Sequence, residues 1–194
     1  MNPHPYDVVD ISVPVSGIVV EEGRGALPFH LIHGESLVAA AAWAAGEAGV
    51  ELADLTVSWP GLAERGEALV LHDPLCPMTP PAFLARCADR AAVEDVVVVG
   101  ARPVTDTVKE VTGDVLGATV DRDALVAVCS PVVLPASVVA DLDGLPATDF
   151  VALVTALRER YGEDRVVLAE APPEARRVAS DADIAVLEAL TDPR

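Results

Sequence analysis

The stretch Val96-Val97-Val98-Val99-Gly100 decides the fold class of this 194-residue chain. Four consecutive β-branched residues favour a strand, and a run without any polar residue is typical of a strand buried on both faces. Similar short apolar runs occur at Ile11–Val13, Ala68–Leu71, Leu125–Val128 and Val166–Leu168. These runs predict further strands of the same sheet.

Segments with helical spacing lie between the apolar runs, at 35–49, 80–91, 149–161 and 180–190. Strands that alternate with helices of this length form βαβ units, in which helices cover both faces of the sheet. The pattern therefore predicts a three-layer α/β fold with a mainly parallel sheet. We expect residues 1–194 to form one domain.

One region interrupts this alternation. Two β-rich runs, 103–111 and 115–120, flank the turn Thr112-Gly113-Asp114, and no helix separates them. This arrangement predicts a β-hairpin. An isolated hairpin is marginally stable, so it needs a surface to pack on, and a second copy of the chain is the economical candidate.

The composition excludes several classes of partner and site. Thirteen basic and thirty-one acidic side chains give a formal charge of −18, which would repel nucleic acid and anionic membranes. Three scattered cysteines make neither a disulfide framework nor a C-x-x-C pair. Residues 1–10 show no signal-peptide pattern, and no apolar run approaches the roughly 20 residues of a membrane span. We therefore expect a cytoplasmic protein.

Two runs in the hairpin region, Pro103-Val104-Thr105-Asp106-Thr107-Val108-Lys109 and Thr119-Val120-Asp121-Arg122-Asp123-Ala124-Leu125, are the most informative motifs of the chain. They resemble the arm of the 2-C-methyl-D-erythritol 4-phosphate cytidylyltransferases. The enzymes of that family belong to the non-mevalonate isoprenoid pathway, join a sugar-alcohol phosphate to CTP and release pyrophosphate. His72-Asp73-Pro74-Leu75-Cys76-Pro77 stands where the family has His-Asp-Ala-Ala-Arg-Pro, and Cys129-Ser130-Pro131 stands where it has Thr-Pro-Gln.

Two further segments fall in the family's order. Pro14-Val15-Ser16-Gly17 lies where the family reads Pro-Ala-Ala-Gly, and 177–184 resembles its closing Lys-Val-Thr-x-Pro-Glu-Asp-Leu segment. The resemblance implies a Rossmann-like nucleotidyltransferase fold with a protruding β-hairpin arm, and a homodimer built through the arm at 103–131. It also implies a set of site residues: Thr107 and Arg122 for the sugar phosphate; Gly17, Arg24, Ser130 and Arg177 for the nucleotide; Asp73 and, as a weaker match, Glu174 for Mg²⁺.

The chain departs from the family pattern where a triphosphate would bind. Val19 takes the place of the second glycine of the family's Gly-x-Gly-x-Arg loop, where a β-branched side chain hinders close backbone approach to a phosphate. Glu21, with Glu22 beside it, takes the place of the arginine, and these carboxylates would repel the triphosphate. The slot of the family's lysine holds Pro28 or Phe29.

Two interpretations follow for the function. In the first, the chain is a catalytically degenerate family member that binds a small phosphorylated ligand or a protein partner. In the second, it is an active nucleotidyltransferase of altered specificity that uses Mg²⁺, with Arg24 and Arg177 replacing the missing cations. Arg24, which lies nearby, could partly substitute for the arginine replaced by Glu21.

Individual candidates also have plain structural explanations. Asp73, which follows an apolar run, could cap the next turn, and Arg122 lies between two aspartates that could pair with it at the surface. Arg177 could be half of an exposed Arg-Arg pair flanking a helix. His30 and His33 lack a third ligand at metal spacing, so we expect no metal there.

Overall fold

The computed structural model describes residues 11–54, 56–104, 108–112, 115–121 and 125–192. Its main sheet consists of six strands: β1 (Val15–Val19), β4 (Glu51–Leu52), β5 (Ala68–His72), β6 (Val97–Pro103), β9 (Val126–Leu134) and β10 (Val166–Glu170). Their order across the sheet is β10-β6-β9-β5-β1-β4. β9 runs antiparallel to β5 and β6, and every other pair is parallel. The predicted mainly parallel sheet is confirmed.

Helices cover both faces of this sheet. They are α1 (Leu37–Glu47), α2 (Trp59–Arg65), α3 (Pro81–Glu94), α4 (Ala136–Asp141), α5 (Phe150–Tyr161) and α6 (Asp181–Thr191). Two short strands, β2 (Leu31–Ile32) and β3 (Glu35–Ser36), pair with each other just before α1. Single 3₁₀ turns occur at Leu27–Phe29, Glu163–Arg165 and Pro173–Ala175.

The alternation of side chains along the central strands produces two separate hydrophobic layers. In β6, Val98 packs with α1 and α3, whereas Val97 and Val99 pack with α4 and α5 on the opposite face. All three valines are fully buried. The run of four valines is therefore apolar throughout because both faces of its strand are covered, which confirms the three-layer architecture.

The first strand lies further along the chain than the apolar run at Ile11–Val13 predicts. It spans Val15–Val19, in parallel register with β5. Its sequence looks less strand-like because it contains a serine and a glycine. The buried Ser16 hydroxyl is nevertheless satisfied, since it donates to Glu67 Oε2 (2.7 Å) and accepts from Arg65 Nη1 (3.0 Å). Tertiary partners therefore override a weak local preference here.

The region after β6 forms the predicted hairpin. β7 (Val108–Thr112) and β8 (Val115–Val120) pair antiparallel as a separate two-stranded sheet. The Gly113-Asp114 turn, Thr107 and Arg122 lie outside the described residues. The hairpin leads into β9, which carries the chain back between β5 and β6.

Gly100 permits an unusually close approach between two strands. It lies at an irregularity in the pairing of β6 with β9, and a β-carbon at this position would come within 2.6 Å of the Ser130 carbonyl oxygen. No real side chain fits that space, so glycine is required by the geometry. The Ser130–Pro131 peptide bond opposite it is cis.

Candidate functional site

Polar side chains converge at the carboxyl ends of β1 and β5. His72 ends β5, Asp73 follows it, and Ser130 lies opposite them on β9. Arg24 arrives from the loop after β1, and Arg177 from the segment between the last 3₁₀ turn and α6. Open α/β sheets bind their ligands at this edge. The structure therefore brings together four residues that sequence analysis placed in the site: Arg24, Asp73, Ser130 and Arg177.

Asp73 is the centre of this cluster and is almost completely buried, with 1% exposure. Its Oδ1 accepts hydrogen bonds from Arg24 Nε (2.9 Å) and from the Leu75 backbone N–H (3.0 Å). Its Oδ2 accepts one from Arg177 Nε (3.1 Å). The bond from Leu75 closes the turn after β5, as the capping interpretation predicts. Both carboxylate oxygens are thus occupied by donors of the protein itself.

Arg24 is also held on every side. Besides its ion pair with Asp73, it donates from Nη1 to the Glu22 carbonyl (3.1 Å) and from Nη2 to the Thr148 carbonyl (2.8 Å). Its guanidinium lies 5.5 Å from the centre of the Phe150 ring. Only 3% of its side chain is exposed. The charge of Arg24 is therefore neutralised in a buried ion pair and is not exposed to solvent.

Arg177 differs because 39% of its side chain is exposed. The backbone beside it is fixed, since the Val178 N–H donates to the Leu75 carbonyl (2.8 Å). Two arginines share one carboxylate in this cluster, so the three side chains carry a net charge of +1. Arg177 is the member of the three through which that charge can reach a ligand.

His72 and Ser130 form the buried floor of the cluster. His72 Nδ1 and the Ser130 hydroxyl are hydrogen-bonded to each other, and the Ser130 oxygen also accepts from the Asp73 backbone N–H (3.0 Å). Burial lowers the pKa of His72 to about 4, an effect that the neighbouring Asp73 only partly opposes. His72 is therefore neutral at pH 7. Sequence analysis assigned it no role, although a histidine at the end of an apolar strand is a recognisable signal.

The cysteines near the cluster are unreactive. Cys76 and Cys129 are buried free thiols, and burial raises the pKa of both, that of Cys129 to about 11. The Arg102 and Arg177 charges lower the Cys129 pKa but do not outweigh burial. A protonated thiol is neither a nucleophile nor a metal ligand. Both residues are small members of the core, as expected.

Two other candidates lie away from the cluster. Gly17 is inside β1 rather than in a loop, and a β-carbon there would come within 2.4 Å of Val50 Cγ1. Glycine at position 17 is thus explained by packing. The loop after β1 instead contains Gly23 and Gly25, both with positive φ. Glu174 lines a separate cavity beside α1, described below.

Of the positions that replace the family's cationic residues, Glu21, Glu22 and Phe29 reach the surface, whereas Pro28, the other alternative for the lysine slot, is buried. Glu22 is exposed and Glu21 partly so, and Phe29 has 62% exposure. His30 Nδ1 pairs with Asp181 Oδ1 (2.6 Å), and His33 Nε2 bonds to Thr191 Oγ1 (2.7 Å). The two histidines therefore attach their loop to α6.

The residues of the cluster do not fit a magnesium ion as they are arranged. Mg²⁺ requires carboxylate oxygens with free lone pairs in an octahedral shell. Asp73 faces two guanidinium groups, which a cation would have to displace. Within the described part of the chain, no group of three or more histidine, cysteine or acidic side chains is placed to hold a metal.

Comparison with known proteins identifies the family. The 2-C-methyl-D-erythritol 4-phosphate cytidylyltransferase of Rhodococcus opacus is 32% identical over 193 residues, which cover 96% of this chain and 76% of that protein. The chain belongs to the 2-C-methyl-D-erythritol 4-phosphate cytidylyltransferase family. The proteins of the same name from Rhodococcus jostii (32% identity, 74% of this chain) and Nocardia farcinica (37%, 69% of this chain) match as well. Those two matches span 63% and 58% of the relatives' own lengths, less than two thirds.

Solved structures confirm the fold of this cytidylyltransferase family member. The 2-C-methyl-D-erythritol 4-phosphate cytidylyltransferase of Thermus thermophilus superposes with a TM-score of 0.67 at 21% identity, covering 93% of this chain and all of that one. The corresponding synthase of Anaerococcus prevotii gives 0.63 at 14%, covering 93% of this chain and 96% of its own. No protein-family model matches the chain. Among the described residues, no helix is both long and apolar enough to span a membrane.

Proposed function

We propose that this chain is a catalytically silent member of the cytidylyltransferase family that acts as a binding or interaction protein. The observation that carries the proposal is the engagement of Asp73 by Arg24 and Arg177. Transfer to a nucleotide needs cations and a metal-binding carboxylate facing the triphosphate. Here the buried cation and the carboxylate neutralise each other instead.

The surroundings of the cluster support the same proposal. The chain's single lysine, Lys109, is in the hairpin strand β7, so the segment directly after the β1 loop contains no lysine. That loop carries Glu21 and Glu22, and the lysine slot holds either the buried Pro28 or the exposed Phe29, neither of which carries a charge. Each of these changes weakens binding of one ligand, the triphosphate, through lost attraction or added repulsion.

The partly exposed Arg177 suits a smaller anion. We propose that the site retains affinity for a small phosphorylated ligand, with Arg177 donating to a phosphate oxygen. Thr107 and Arg122 would contribute from the hairpin arm of a second copy, as the resemblance implies. A homodimer through residues 103–131 and a cytoplasmic location belong to the same proposal.

The decisive experiment measures pyrophosphate release from CTP and 2-C-methyl-D-erythritol 4-phosphate in the presence of Mg²⁺. We expect no release above background under conditions where the Rhodococcus opacus relative turns over. A parallel thermal-shift titration should show no stabilisation by CTP with Mg²⁺. Binding at 100 times the dissociation constant would add about 2.7 kcal/mol, which is readily detected. Steady pyrophosphate release that requires both substrates would refute the proposal.

The phosphate-binding part has its own test. In the same thermal-shift assay, 2-C-methyl-D-erythritol 4-phosphate without nucleotide should stabilise the wild-type chain and should not stabilise the Arg177→Gln variant. Arg176→Gln is the matched control, because the Arg176 side chain is as exposed as that of Arg177 and lies 4.0 Å from the surface residue Asp183. An equal loss of response in both variants would show that the response is nonspecific charge attraction.

The second candidate function is an active nucleotidyltransferase of altered specificity. The observation in its favour is that Arg24, Asp73, Ser130 and Arg177 meet at the ligand-binding edge of the sheet. This function requires Asp73 to release its arginines and accept Mg²⁺ when substrate enters. Turnover with another nucleoside triphosphate in the assay above would favour it over the silent protein.

The proposed dimer predicts the effect of removing the arm. If residues 105–121 are replaced by a short glycine-serine linker, the chain should run as a monomer in multi-angle light scattering, whereas the intact chain should run as a dimer. The main sheet should persist in circular dichroism, because β7 and β8 form a separate sheet. An intact chain that is already monomeric, or an unchanged mass after deletion, would exclude dimerisation through the arm.

A further inference from the structure

A cavity lies beside α1; of the described residues that the family resemblance assigns to the site, Glu174 lines it, whereas Gly17 and Ser130 do not. Its volume is about 670 Å³, within the range of small-molecule sites. It is open to solvent on one side and is lined by residues of α1, the loop before α3, the start of α3, the last 3₁₀ turn and the end of α6. Asp73, Arg24 and Arg177 are not among its lining residues.

The walls of this cavity are mostly apolar and include one large aromatic surface. Trp43 lines it from the middle of α1, with 64% of its surface exposed. Met78 and Leu190 face the cavity from the loop before α3 and from α6. Alanines on α1 leave the space open because their side chains are short. An exposed tryptophan that lines a cavity supplies an aromatic surface that can contact a ligand.

The polar groups in the cavity all carry negative charge or are neutral. Glu47, Glu174 and Asp192 line it, and none of the described lining residues is basic. α1 ends at Glu47 and α6 ends at Thr191, so the carbonyl ends of two helices lie here. Helix C-termini carry partial negative charge and favour cations. The carboxylates, the two helix C-termini and the Trp43 ring therefore all favour a cationic ligand.

One helix N-terminus also reaches the cavity, and its sequence limits any attraction for anions. α3 begins at Pro81 after Pro80, and proline has no N–H group. Two of the positions that could supply donors at this helix end therefore supply none. The Thr79 hydroxyl is not available either, since it donates to the Cys76 carbonyl (2.8 Å).

From this combination we infer that the cavity binds a small organic cation, namely an ammonium ion that carries an aromatic or aliphatic body. The body packs against Met78 and Leu190, and the ammonium group lies over the Trp43 ring within reach of the carboxylates. Such an arrangement combines a cation–π contact with charge attraction in a partly desolvated space. The inference is independent of the proposed function, because it uses none of the residues around Asp73.

Isothermal titration calorimetry with the full chain tests this inference. The probe is phenethylammonium, compared with the neutral 2-phenylethanol and the anionic 3-phenylpropionate, which share its ring and approximate length. We expect saturable binding of the cation with a Kd of about 1 mM, a realistic value for so small a ligand. Raising the salt concentration should weaken binding. The alcohol and the anion should bind at least about tenfold more weakly.

Variants locate the binding. Trp43→Ala should weaken binding of phenethylammonium about tenfold, and Glu47→Gln about threefold. Both residues are exposed, so the fold should tolerate these changes. Glu159→Gln, an exposed glutamate on α5, is the matched control and should leave binding unchanged. The inference is overturned if the cation shows no saturable binding up to about 20 mM, if the alcohol binds as tightly, or if Trp43→Ala matches the control.

Discussion

Asp73→Asn is expected to lower the free energy of unfolding by about 3–5 kcal/mol, measured by urea denaturation at pH 7. The substitution keeps the shape of the side chain and removes its charge. Arg24 would then remain buried with no opposite charge, held only by carbonyl oxygens and the Phe150 ring. Removing one partner of a buried ion pair is costly because the other charge remains desolvated.

Asp95→Asn provides the matched control for this substitution. Asp95 pairs with Arg165 at the surface (2.6 Å), with 58% of its side chain exposed, and asparagine tolerates the positive φ found at this position. The control should change stability by less than about 1 kcal/mol. Adding Arg24→Gln to Asp73→Asn should restore part of the lost stability, because the unpaired charge is then removed. A loss at Asp73 no larger than at Asp95 would show that the buried pair does not stabilise the fold.

The same substitution separates the two candidate functions. If the chain is catalytically silent, Asp73→Asn changes stability and there is no turnover to lose. If Asp73 binds Mg²⁺ during catalysis, the substitution abolishes turnover, and added Mg²⁺ with CTP stabilises the wild-type chain but not the variant. Measuring stability and turnover on one preparation of each protein therefore decides between a structural and a catalytic Asp73.

Acid should weaken the fold through His72. The folded protein holds the His72 pKa at about 4, whereas a histidine in the unfolded chain has a pKa of about 6.5. Between these values the unfolded chain binds a proton that the folded chain does not, so stability falls as pH falls from about 6.5 to 4. The full effect is about 3 kcal/mol, at 1.36 kcal/mol for each pKa unit. Above pH 6.5 this contribution is complete and constant.

The His72→Asn variant isolates that contribution from the titration of other groups. Asparagine retains a polar atom near the position of Nδ1, next to the Ser130 hydroxyl, and does not ionise in this range. The difference in unfolding free energy between wild type and variant should shrink by about 3 kcal/mol from pH 7 to pH 4. Parallel pH profiles for the two proteins would show that His72 is not held neutral by burial.

The central architecture was predictable because its signal is local and strong. The four valines at 96–99 and the hairpin around residue 113 show the periodicities of a doubly buried strand and of a two-stranded ribbon. β1 was predicted four residues too early, because Ser16 and Gly17 weaken its apolar pattern. Both residues are accommodated in β1 by contacts with other parts of the chain. The Ser16 hydroxyl is hydrogen-bonded to Arg65 and Glu67, and Gly17 leaves room for Val50.

The residues that belong to the site were more predictable than the contacts those residues make with one another. The family motifs lead to Arg24, Asp73, Ser130 and Arg177, which do meet in space. No spacing in the sequence reveals that Arg24 points inward to Asp73, since its partners Thr148 and Phe150 are more than 120 residues away. The hydrogen bond between His72 and Ser130 is hidden for the same reason, since 58 residues separate the two. Which side chains pair and which become buried depends on how the helices pack on the sheet, so the local sequence alone does not predict either.

The contact between Gly100 and the Ser130 backbone links the scaffold to the polar cluster. The Ser130 carbonyl packs closely against the Gly100 α-carbon. The Ser130 hydroxyl is hydrogen-bonded to the Asp73 N–H and to the His72 ring. A displacement of β9 by a bulkier neighbour would thus be transmitted through Ser130 to the carboxylate that anchors both arginines. Gly100, the single glycine of β6, therefore determines how closely Ser130, and the polar cluster bonded to it, can approach the central strand.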